Sequence, residues 1–137
     1  MDIKYAVNRS VSVDQFIELL KETTLCKRRP VENKVRMQGM LDNANLIISA
    51  WLDEKLVGIA RSVTDFYYCC YLSDLAVSAS FQNQGIGKAL IRQTFSTLKP
   101  GCKIFLLSAP QVNEYYPKIG FTKHNSAWLM SDVNDLN

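Results

Sequence analysis

The sequence predicts an α/β or α+β fold in which a mixed, mostly antiparallel sheet of six or seven strands carries helices on both faces. Of its 137 residues, 47% are apolar and 21% are charged, which suits one globular domain spanning 1–137. The apolar spacing alternates between strand and helix periods in the order β-α-α-β-β-β-α-β-α-β-β. Such an order favours a sheet that is covered by helices.

The first half of the chain contains a strand, two helices and the beginning of a strand meander. Residues 3–8 are typical of a strand, and Ser12 and Gln15 form the capping-box pattern that opens a helix. A polar connection leads to a second helix, for which Pro30 suits the start and Leu41 the end. The strands that follow are expected at 46–52, 56–63 and 67–77.

The second half alternates helices with strands. A helix is expected at 85–98, because apolar side chains recur there at helical spacing and a Pro-Gly pair follows. A compact buried strand at 103–107 precedes a short helix at 110–119, in which Pro117 should distort one turn. Two final strands are expected at 121–124 and 127–130.

Charge and hydropathy exclude several classes of partner. The formal net charge is +3, and the only basic cluster is Lys27-Arg28-Arg29, which fits a solvated loop better than a nucleic-acid site. No apolar run is long enough to span a membrane, and the N-terminus lacks the layout of a signal peptide. We therefore expect a cytoplasmic protein with neither a nucleic-acid nor a membrane partner.

The cysteines and the single histidine do not form a metal-binding pattern. Zinc sites need paired ligands at short spacing, and the chain has no C-x-x-C pair. We therefore expect no metal, and we expect His124 on a surface strand. The cysteines are expected to be reduced and packed as small apolar residues, at Cys26, Cys69, Cys70 and Cys102.

The stretch that carries chemistry lies between Leu75 and Lys88. A strand ends at Val77, a polar turn follows, and Gly85 and Gly87 open a helix. Glycines let the backbone approach a ligand, and the free N–H groups and dipole of a helix start attract a phosphate or pyrophosphate. The P-loop and Rossmann patterns both fail here, because alanine follows the lysine and leucine stands at the third glycine position.

Two motifs resemble those of the GCN5-related N-acetyltransferase (GNAT) superfamily. Gln82-x-x-Gly85-x-Gly87, after a strand that ends in Leu-Ala-Val, is similar to motif A of that superfamily. Residues 113–121, Asn-Glu-Tyr-Tyr-Pro-Lys-Ile-Gly-Phe, are similar to its late helix, which ends in Tyr-x-Lys-x-Gly-Phe. The order of elements also matches along nearly the whole chain, which resembles a small, single-domain, bacterial-type member.

The resemblance implies direct transfer of an acetyl group from acetyl-CoA to a primary amine of a small molecule or a protein, with no metal. In the superfamily two neighbouring parallel strands splay apart, and CoA lies in the gap. Leu75 and Val77 would offer main-chain groups to the pantetheine arm, and N–H groups from 82–88 would hold the pyrophosphate. The implied CoA-binding set is Leu75, Ala76, Val77, Gln82, Asn83, Gln84, Gly85, Ile86, Gly87, Lys88, Asn113 and Tyr116.

By the same resemblance, Tyr116 is the general acid that protonates the departing CoA thiolate. The chemistry agrees, because a phenol with a pKa near 10 can donate to a thiolate whose conjugate acid has a pKa of about 8.5. A main-chain N–H of the splayed strand can stabilise the charge that develops on the thioester oxygen.

The general base is left open by the sequence. Some superfamily members use glutamate or histidine on the long strand, but Tyr71 and Ser73 stand at those positions and are assigned to substrate contact. Asp74 is the candidate base, although a regular strand points it to the opposite face unless a bulge re-aims it. It also fits a hydrogen-bonded structural carboxylate. A water chain, Asp65 or Glu22 are the alternatives.

Two further choices stay open at this point. Tyr67, Tyr68 and Tyr71 either line an acceptor pocket or make ordinary cross-strand contacts. The missing base also leaves a second function open, an acyl-CoA-binding sensor or partner-binding module without transfer activity. Superfamily members are often dimers, and the resemblance therefore implies a homodimer.

Overall fold

The computed structural model describes residues 2–110 and 113–137, which form two compact units, one ending at Leu107 and one beginning at Ser108. The described part of the first unit contains five strands, three α-helices and two short 3-10 helices, at Thr24–Arg28 and Ala79–Phe81. The strands and α-helices are β1 (Lys4–Val7), α1 (Val13–Lys21), α2 (Lys34–Asn43), β2 (Leu46–Leu52), β3 (Lys55–Thr64), β4 (Cys69–Val77), α3 (Ile86–Thr97) and β5 (Lys103–Phe105).

The strands of the first unit form one sheet in the order β1-β2-β3-β4-β5. Neighbouring strands are antiparallel except β4 and β5, which are parallel. The prediction of a mixed, mostly antiparallel sheet is therefore confirmed. The predicted number of strands was too high, because residues 2–110 and 113–137 contain five strands instead of six or seven.

Helices cover both faces of this sheet, as predicted. Phe16 of α1 and Ile59 of β3 belong to one buried cluster, and residues of α2 also contribute to this cluster. The preceding residue, Gly58, faces the opposite side of the sheet. A Cβ built on Gly58 would lie 3.2 Å from side-chain atoms of Ile86 and of Leu90 in α3. Glycine at this position therefore lets α3 approach β3 closely.

Capping residues set the starts of the first two helices. The hydroxyl of Ser12 accepts from the N–H of Gln15, and the Gln15 side chain accepts from the N–H of Ser12, so the predicted capping box is confirmed. The predicted start of α2 at Pro30 was wrong. The Asn33 side chain accepts a hydrogen bond from the N–H of Arg36, and this cap begins the helix after Asn33.

The second unit contains little regular structure. Its described residues form α4 (Tyr115–Lys118) and a short 3-10 helix at Val133–Asp135. The predicted helix at 110–119 is therefore correct only over α4, while Gln111 and Val112 lie outside the described residues. That 1–137 acts as one domain stays a prediction.

The prediction of two final strands was wrong. Residues 121–124 and 127–130 are irregular chain on either side of a turn. Both segments are largely exposed, and Trp128 is 94% exposed. A segment forms a strand only where another strand supplies hydrogen bonds, and the described residues supply none for these segments. His124 is exposed as expected, although it lies outside a strand.

Two further sequence predictions concern membranes and cysteines. None of the helices formed by residues 2–110 and 113–137 is both long and apolar enough to cross a membrane. The four cysteines are free thiols. Cys70 is buried and Cys69 is exposed, so these neighbours point to opposite faces of the sheet as predicted.

Candidate active site

The parallel strands β4 and β5 part soon after they begin. Their ladder contains three residue pairs, the last of which is Tyr71 with Phe105, whereas β4 continues to Val77. From Leu72 onward, β4 therefore has a strand partner only on its β3 side within the described residues. An unpaired strand edge offers N–H and C=O groups to an extended ligand that contains amides.

The β3–β4 register shows which main-chain groups face this open edge. The N–H of Ser78 donates to the carbonyl of Val57 at 2.9 Å, and antiparallel ladders repeat such bonds every second residue. Ala76 therefore bonds to β3, and its side chain lies in the core. Leu75 and Val77 form the intervening non-hydrogen-bonded pairs, so their N–H and C=O groups point away from β3, towards the open edge.

The chain that leaves β4 is tied to the end of α1. The hydroxyl of Ser78 donates to the carboxylate of Glu22, and the N–H of Ala79 donates to the main-chain carbonyl of Glu22 at 3.2 Å. Phe81, which ends the following 3-10 helix, is buried. These contacts fix the point at which the glycine-containing loop begins.

The loop before α3 contains two residues in the left-handed region. Asn83 has a φ of 63° and Gly85 a φ of 80°, and Gly85 begins α3 with no side-chain cap. The first N–H groups of α3 can therefore bind an anion, which the helix dipole also attracts. This arrangement fits a pyrophosphate. In the predicted segment the side chain of Ile86 is buried, whereas the exposed residues are Gln82, Asn83, Gln84, Gly85 and Lys88.

Asp74 is fully buried between two arginines. Its Oδ1 lies 2.5 Å from Nε of Arg29, and its Oδ2 lies 2.5 Å from Nε of Arg61. The Arg61 side chain is 7% exposed, and charges buried this deeply need such partners. Because both carboxylate oxygens are held in ion pairs, Asp74 fits the structural alternative better than the role of a base.

A β-bulge beside Asp74 redirects side chains along β4. Arg61 pairs with Asp74 and Ser62 pairs with Leu72, so Ser73 is an extra residue in β4. Arg61 donates to the hydroxyl of Ser73 at 3.0 Å through Nη2 and to Asp74 through Nε. Two consecutive side chains therefore point to one face, which a regular strand does not allow. The bulge named as the condition for re-aiming Asp74 is thus present.

Asp65 shapes the turn that precedes β4. Its Oδ1 accepts hydrogen bonds from the N–H groups of Tyr67, Tyr68 and Cys69 at 2.8–3.1 Å. These bonds, that from Tyr68 most strongly, lower the pKa of Asp65. They also explain why β4 begins at Cys69, two residues later than predicted. A carboxylate whose pKa is lowered is a weaker base.

Glu22, the other alternative base, is engaged as well. The hydrogen bond from the Ser78 hydroxyl, and then the nearby Lys55 ammonium, lower the pKa of its carboxyl. The Lys55 Nζ lies 3.4 Å from the carboxylate of Glu22. Among residues 2–110 and 113–137, no group of three His, Cys, Asp or Glu side chains is placed to hold a metal ion.

The three tyrosines considered for an acceptor pocket are exposed. Tyr67 and Tyr68 lie in the turn before β4, where the carbonyl of Tyr68 accepts a hydrogen bond from the N–H of Lys103 at 3.2 Å. Tyr71 stands between Val63 of β3 and Phe105 of β5 in a single cross-strand row. Cross-strand packing therefore describes Tyr71 and not the other two, and the acceptor role of these tyrosines stays a prediction.

Tyr116 lies in α4 of the second unit. Its ring meets those of Tyr115 and Phe121 edge to face, with centroids 5.3 and 5.4 Å away. Burial raises the pKa of Tyr116, and Tyr115 raises it further. A phenol that stays protonated at neutral pH suits a proton donor. Pro117 lies in the first turn of α4, where its missing N–H leaves no helical bond unmade.

Asn113 precedes α4 in the same unit and is exposed. Its Oδ1 accepts a hydrogen bond from the hydroxyl of Ser108 at 2.9 Å. The side-chain nitrogen Nδ2 is therefore the group left for a ligand. The contact with CoA implied for Asn113 and the acid role implied for Tyr116 both stay predictions.

Sequence reasoning missed the two arginines that hold Asp74. Arg29 was included in a basic run interpreted as a solvated loop, which was wrong for this residue, because its side chain is 18% exposed and ion-paired. The signal for Arg61 was present in the sequence. A charged residue inside a strand of apolar residues is almost never fully buried unless it is paired.

The site combines an open strand edge, where two parallel strands part, with a glycine-capped helix start, and it suits an elongated ligand that carries amides and phosphate. Residues 21–133 match the model of the acetyltransferase (GNAT) domain. The chain therefore belongs to the GNAT family, and it is an acetyltransferase.

A relative agrees with this family assignment, and solved structures share the fold. The chain is 27% identical over 124 residues to the uncharacterized N-acetyltransferase ycf52 of Pyropia yezoensis, covering 89% of this chain and 71% of that protein. A GNAT-family acetyltransferase from Streptococcus pneumoniae has a TM-score of 0.72 and 21% identity, covering 96% of this chain and all of that one. An aminoglycoside N-acetyltransferase in complex with CoA has a TM-score of 0.70 and 17% identity, covering 96% and 95%.

Proposed function

We propose that this chain transfers the acetyl group of acetyl-CoA directly to a primary amine of a small molecule or a protein. The observation that carries the proposal is the order of two features along the chain. The open edge of β4 leads through a short 3-10 helix and the exposed residues 82–84 to the glycine-capped start of α3. CoA has its groups in a corresponding order, an amide-containing pantetheine arm followed by a pyrophosphate.

The main chain supplies most of the proposed contacts with CoA. The C=O of Leu75 and the N–H and C=O of Val77 face the open edge and suit the amides of pantetheine. N–H groups of 82–88, together with the charge of Lys88, suit the pyrophosphate. Asn113 is assigned a hydrogen bond to CoA on the family resemblance alone.

In the proposed reaction the amine nitrogen attacks the thioester carbon, forming a C–N bond while the C–S bond breaks. The N–H of Leu75 donates to the thioester oxygen as negative charge develops there. The thiolate takes the hydroxyl proton of Tyr116, and the resulting tyrosinate regains a proton from solvent. The proton lost by the amine passes to a water chain, because Asp74, Asp65 and Glu22 are each held in ion pairs or hydrogen bonds.

Thermal unfolding in the presence of acetyl-CoA, CoA, ATP and NAD tests the proposal. A ligand that binds only the folded state, at 100 times its dissociation constant, adds about 2.7 kcal/mol. We expect acetyl-CoA and CoA to raise the midpoint by several degrees, and ATP and NAD to leave it unchanged. A folded protein whose midpoint moves with neither CoA species would overturn the proposal.

The engagement of all three candidate carboxylates favours a second function, an acyl-CoA-binding sensor or partner-binding module. A panel of primary amines, scored by release of free thiol from acetyl-CoA, separates the two. Thiol release that depends on one class of amine supports transfer and identifies the acceptor. Binding of acetyl-CoA without release on any amine supports the sensor. A homodimer and a cytoplasmic location stay predictions.

A further inference from the structure

The bulge in β4 is held by arginines from two other parts of the chain. Nη2 of Arg29, which follows the first 3-10 helix, donates to the carbonyl of Ser73 at 2.7 Å. Nη2 of Arg61, on β3, donates to the hydroxyl of Ser73 at 3.0 Å. A bulge takes its extra residue out of the strand ladder, and here the carbonyl and the hydroxyl of that residue each have a guanidinium partner.

Asp74 joins the two arginines into one cluster. Each of its carboxylate oxygens lies 2.5 Å from the Nε of one arginine. Arg61 donates in addition to the carbonyl of Met40 in α2 at 3.1 Å. Two planar guanidinium groups with several bonds each fix orientation as well as distance.

Stability alone does not account for such a cluster. Taking three charges out of water costs about as much as their attraction returns, and apolar residues of similar volume often stabilise a core equally well or better. What the cluster adds is a defined geometry at one place. Ser73, the bulge residue, lies two residues beyond the last β4–β5 pair, and Asp74 directly precedes Leu75.

We propose that Arg29, Arg61 and Asp74 are positioning residues that hold the bulge so that the N–H of Leu75 is aimed at the acetyl oxygen of acetyl-CoA. The inference rests on the proposed function and deepens it. The Leu75 N–H faces the open edge, and the direction of that N–H follows the preceding peptide planes. An oxyanion donor acts only when it is aligned with the charge that develops, so small rotations here weaken it.

Amide NMR spectra of the ¹⁵N-labelled protein test this without a known acceptor. Wild type, Arg29→Gln and Asp74→Asn are titrated with CoA and, separately, with acetyl-CoA. Arg29 is the first choice for substitution because its side chain is the most exposed of the three. Arg36→Gln, which removes an exposed arginine of α2, is the control with the same change of charge.

In wild type and in Arg36→Gln we expect the Leu75 amide proton to shift further downfield with acetyl-CoA than with CoA. In Arg29→Gln and Asp74→Asn this acetyl-specific difference should disappear, while the dissociation constant for CoA stays within about twofold of wild type. A merely stabilising cluster would leave the difference intact in the folded fraction. Arg29→Lys replaces Arg29→Gln if the latter does not fold. Lysine keeps the positive charge but lacks the several planar N–H donors of a guanidinium group.

Two outcomes overturn the inference while the proposed function stands. One is an acetyl-specific shift of Leu75 that survives in folded, CoA-binding Arg29→Gln or that is missing in wild type. The other is a loss of that shift in proportion to a loss of CoA affinity, which indicates general damage to the fold. Failure of wild type to bind either CoA species would instead overturn the proposed function itself.

Discussion

Arg61 and Asp74 occupy facing positions of β3 and β4, and Nε of Arg61 lies 2.5 Å from Oδ2 of Asp74. Through Nη1, the same guanidinium donates to the carbonyl of Met40, so the ion pair also ties α2 to the sheet. Both partners are buried, and the loss of one therefore leaves the other charge without compensation.

We expect Asp74→Ala to lower the free energy of unfolding by about 3–5 kcal/mol, because it leaves Arg29 and Arg61 without a carboxylate. Asp14→Ala is the control, since it removes an exposed ion pair with Lys34 at 2.8 Å and should cost less than about 1 kcal/mol. Urea unfolding followed by circular dichroism measures both values. Equal, small losses in the two variants would contradict the assignment of Asp74 to a buried ion pair.

The Glu22 carboxylate makes the free energy of unfolding depend on pH in the acidic range. The hydrogen bond from Ser78, and then the interaction with Lys55, lower its pKa below the ordinary 4.5. A group whose pKa is lowered by folding contributes stability that is present above the unfolded value and is lost as pH falls through the folded value. We therefore expect Glu22→Gln to lose less free energy of unfolding than wild type as the pH falls below 4.5.

The measurement is urea unfolding of Glu22→Gln and wild type across a series of acidic pH values. Glu18→Gln removes an exposed carboxylate from the same helix and serves as the control, with an acid dependence like that of wild type. If Glu22→Gln followed the wild-type curve throughout, the contact with Ser78 would not be formed in solution.

The predictions that succeeded rest on local signals. Ser12 and Gln15 form their hydrogen bonds within one helical turn, so the sequence was sufficient to predict the start of α1. The glycine that begins α3, Gly85, is likewise a local signal, because its left-handed φ is a property of its own backbone. The resemblance to motif A predicts one cofactor site at the open strand edge and the helix start, and that site stays a prediction.

The features that the sequence could not settle depend on partners distant in sequence. The bulge at Ser73 is held by Arg29 and Arg61, which lie 44 and 12 residues away along the chain. The residues of β4 alone therefore do not predict it. The segments 121–124 and 127–130 were expected to form strands. A strand needs a neighbouring strand for its main-chain hydrogen bonds, and the described residues give neither segment such a partner.

Gly85 allows a test of the proposed pyrophosphate site through the backbone alone. A Cβ at Gly85 would have nothing within 4 Å, but its φ is +80°. Gly85→Ala should therefore cost about 1–2 kcal/mol, because alanine disfavours the left-handed region, and the loop should relax away from its present course. We expect weaker binding of CoA, measured by calorimetric titration.

Gly39→Ala is the matched control for that substitution. Gly39 also has open space around its Cβ position, but it lies inside α2, where alanine should stabilise the helix by about 1 kcal/mol. CoA binding by Gly39→Ala should equal that of wild type. Wild-type affinity in Gly85→Ala as well would exclude the start of α3 from the CoA site.

Tyr116→Phe removes the proposed proton donor and keeps the ring that packs against Tyr115 and Phe121. We expect turnover on a responsive amine to fall about 100-fold, because the thiolate must then leave without general-acid assistance, while CoA affinity is unchanged. Tyr115→Phe is the control, since it removes the neighbouring hydroxyl and should keep wild-type turnover. Thiol release and calorimetric titration measure the two quantities.

The pH profile of turnover adds a second readout for the same residue. Burial raises the pKa of Tyr116 above the ordinary value of 10.0, so the donor stays protonated through neutral pH and is lost only in strong alkali. Wild type should therefore show an alkaline fall in turnover above that value, and Tyr116→Phe should lack it. An identical alkaline fall in both proteins, or full turnover in Tyr116→Phe, would assign the donated proton to another group.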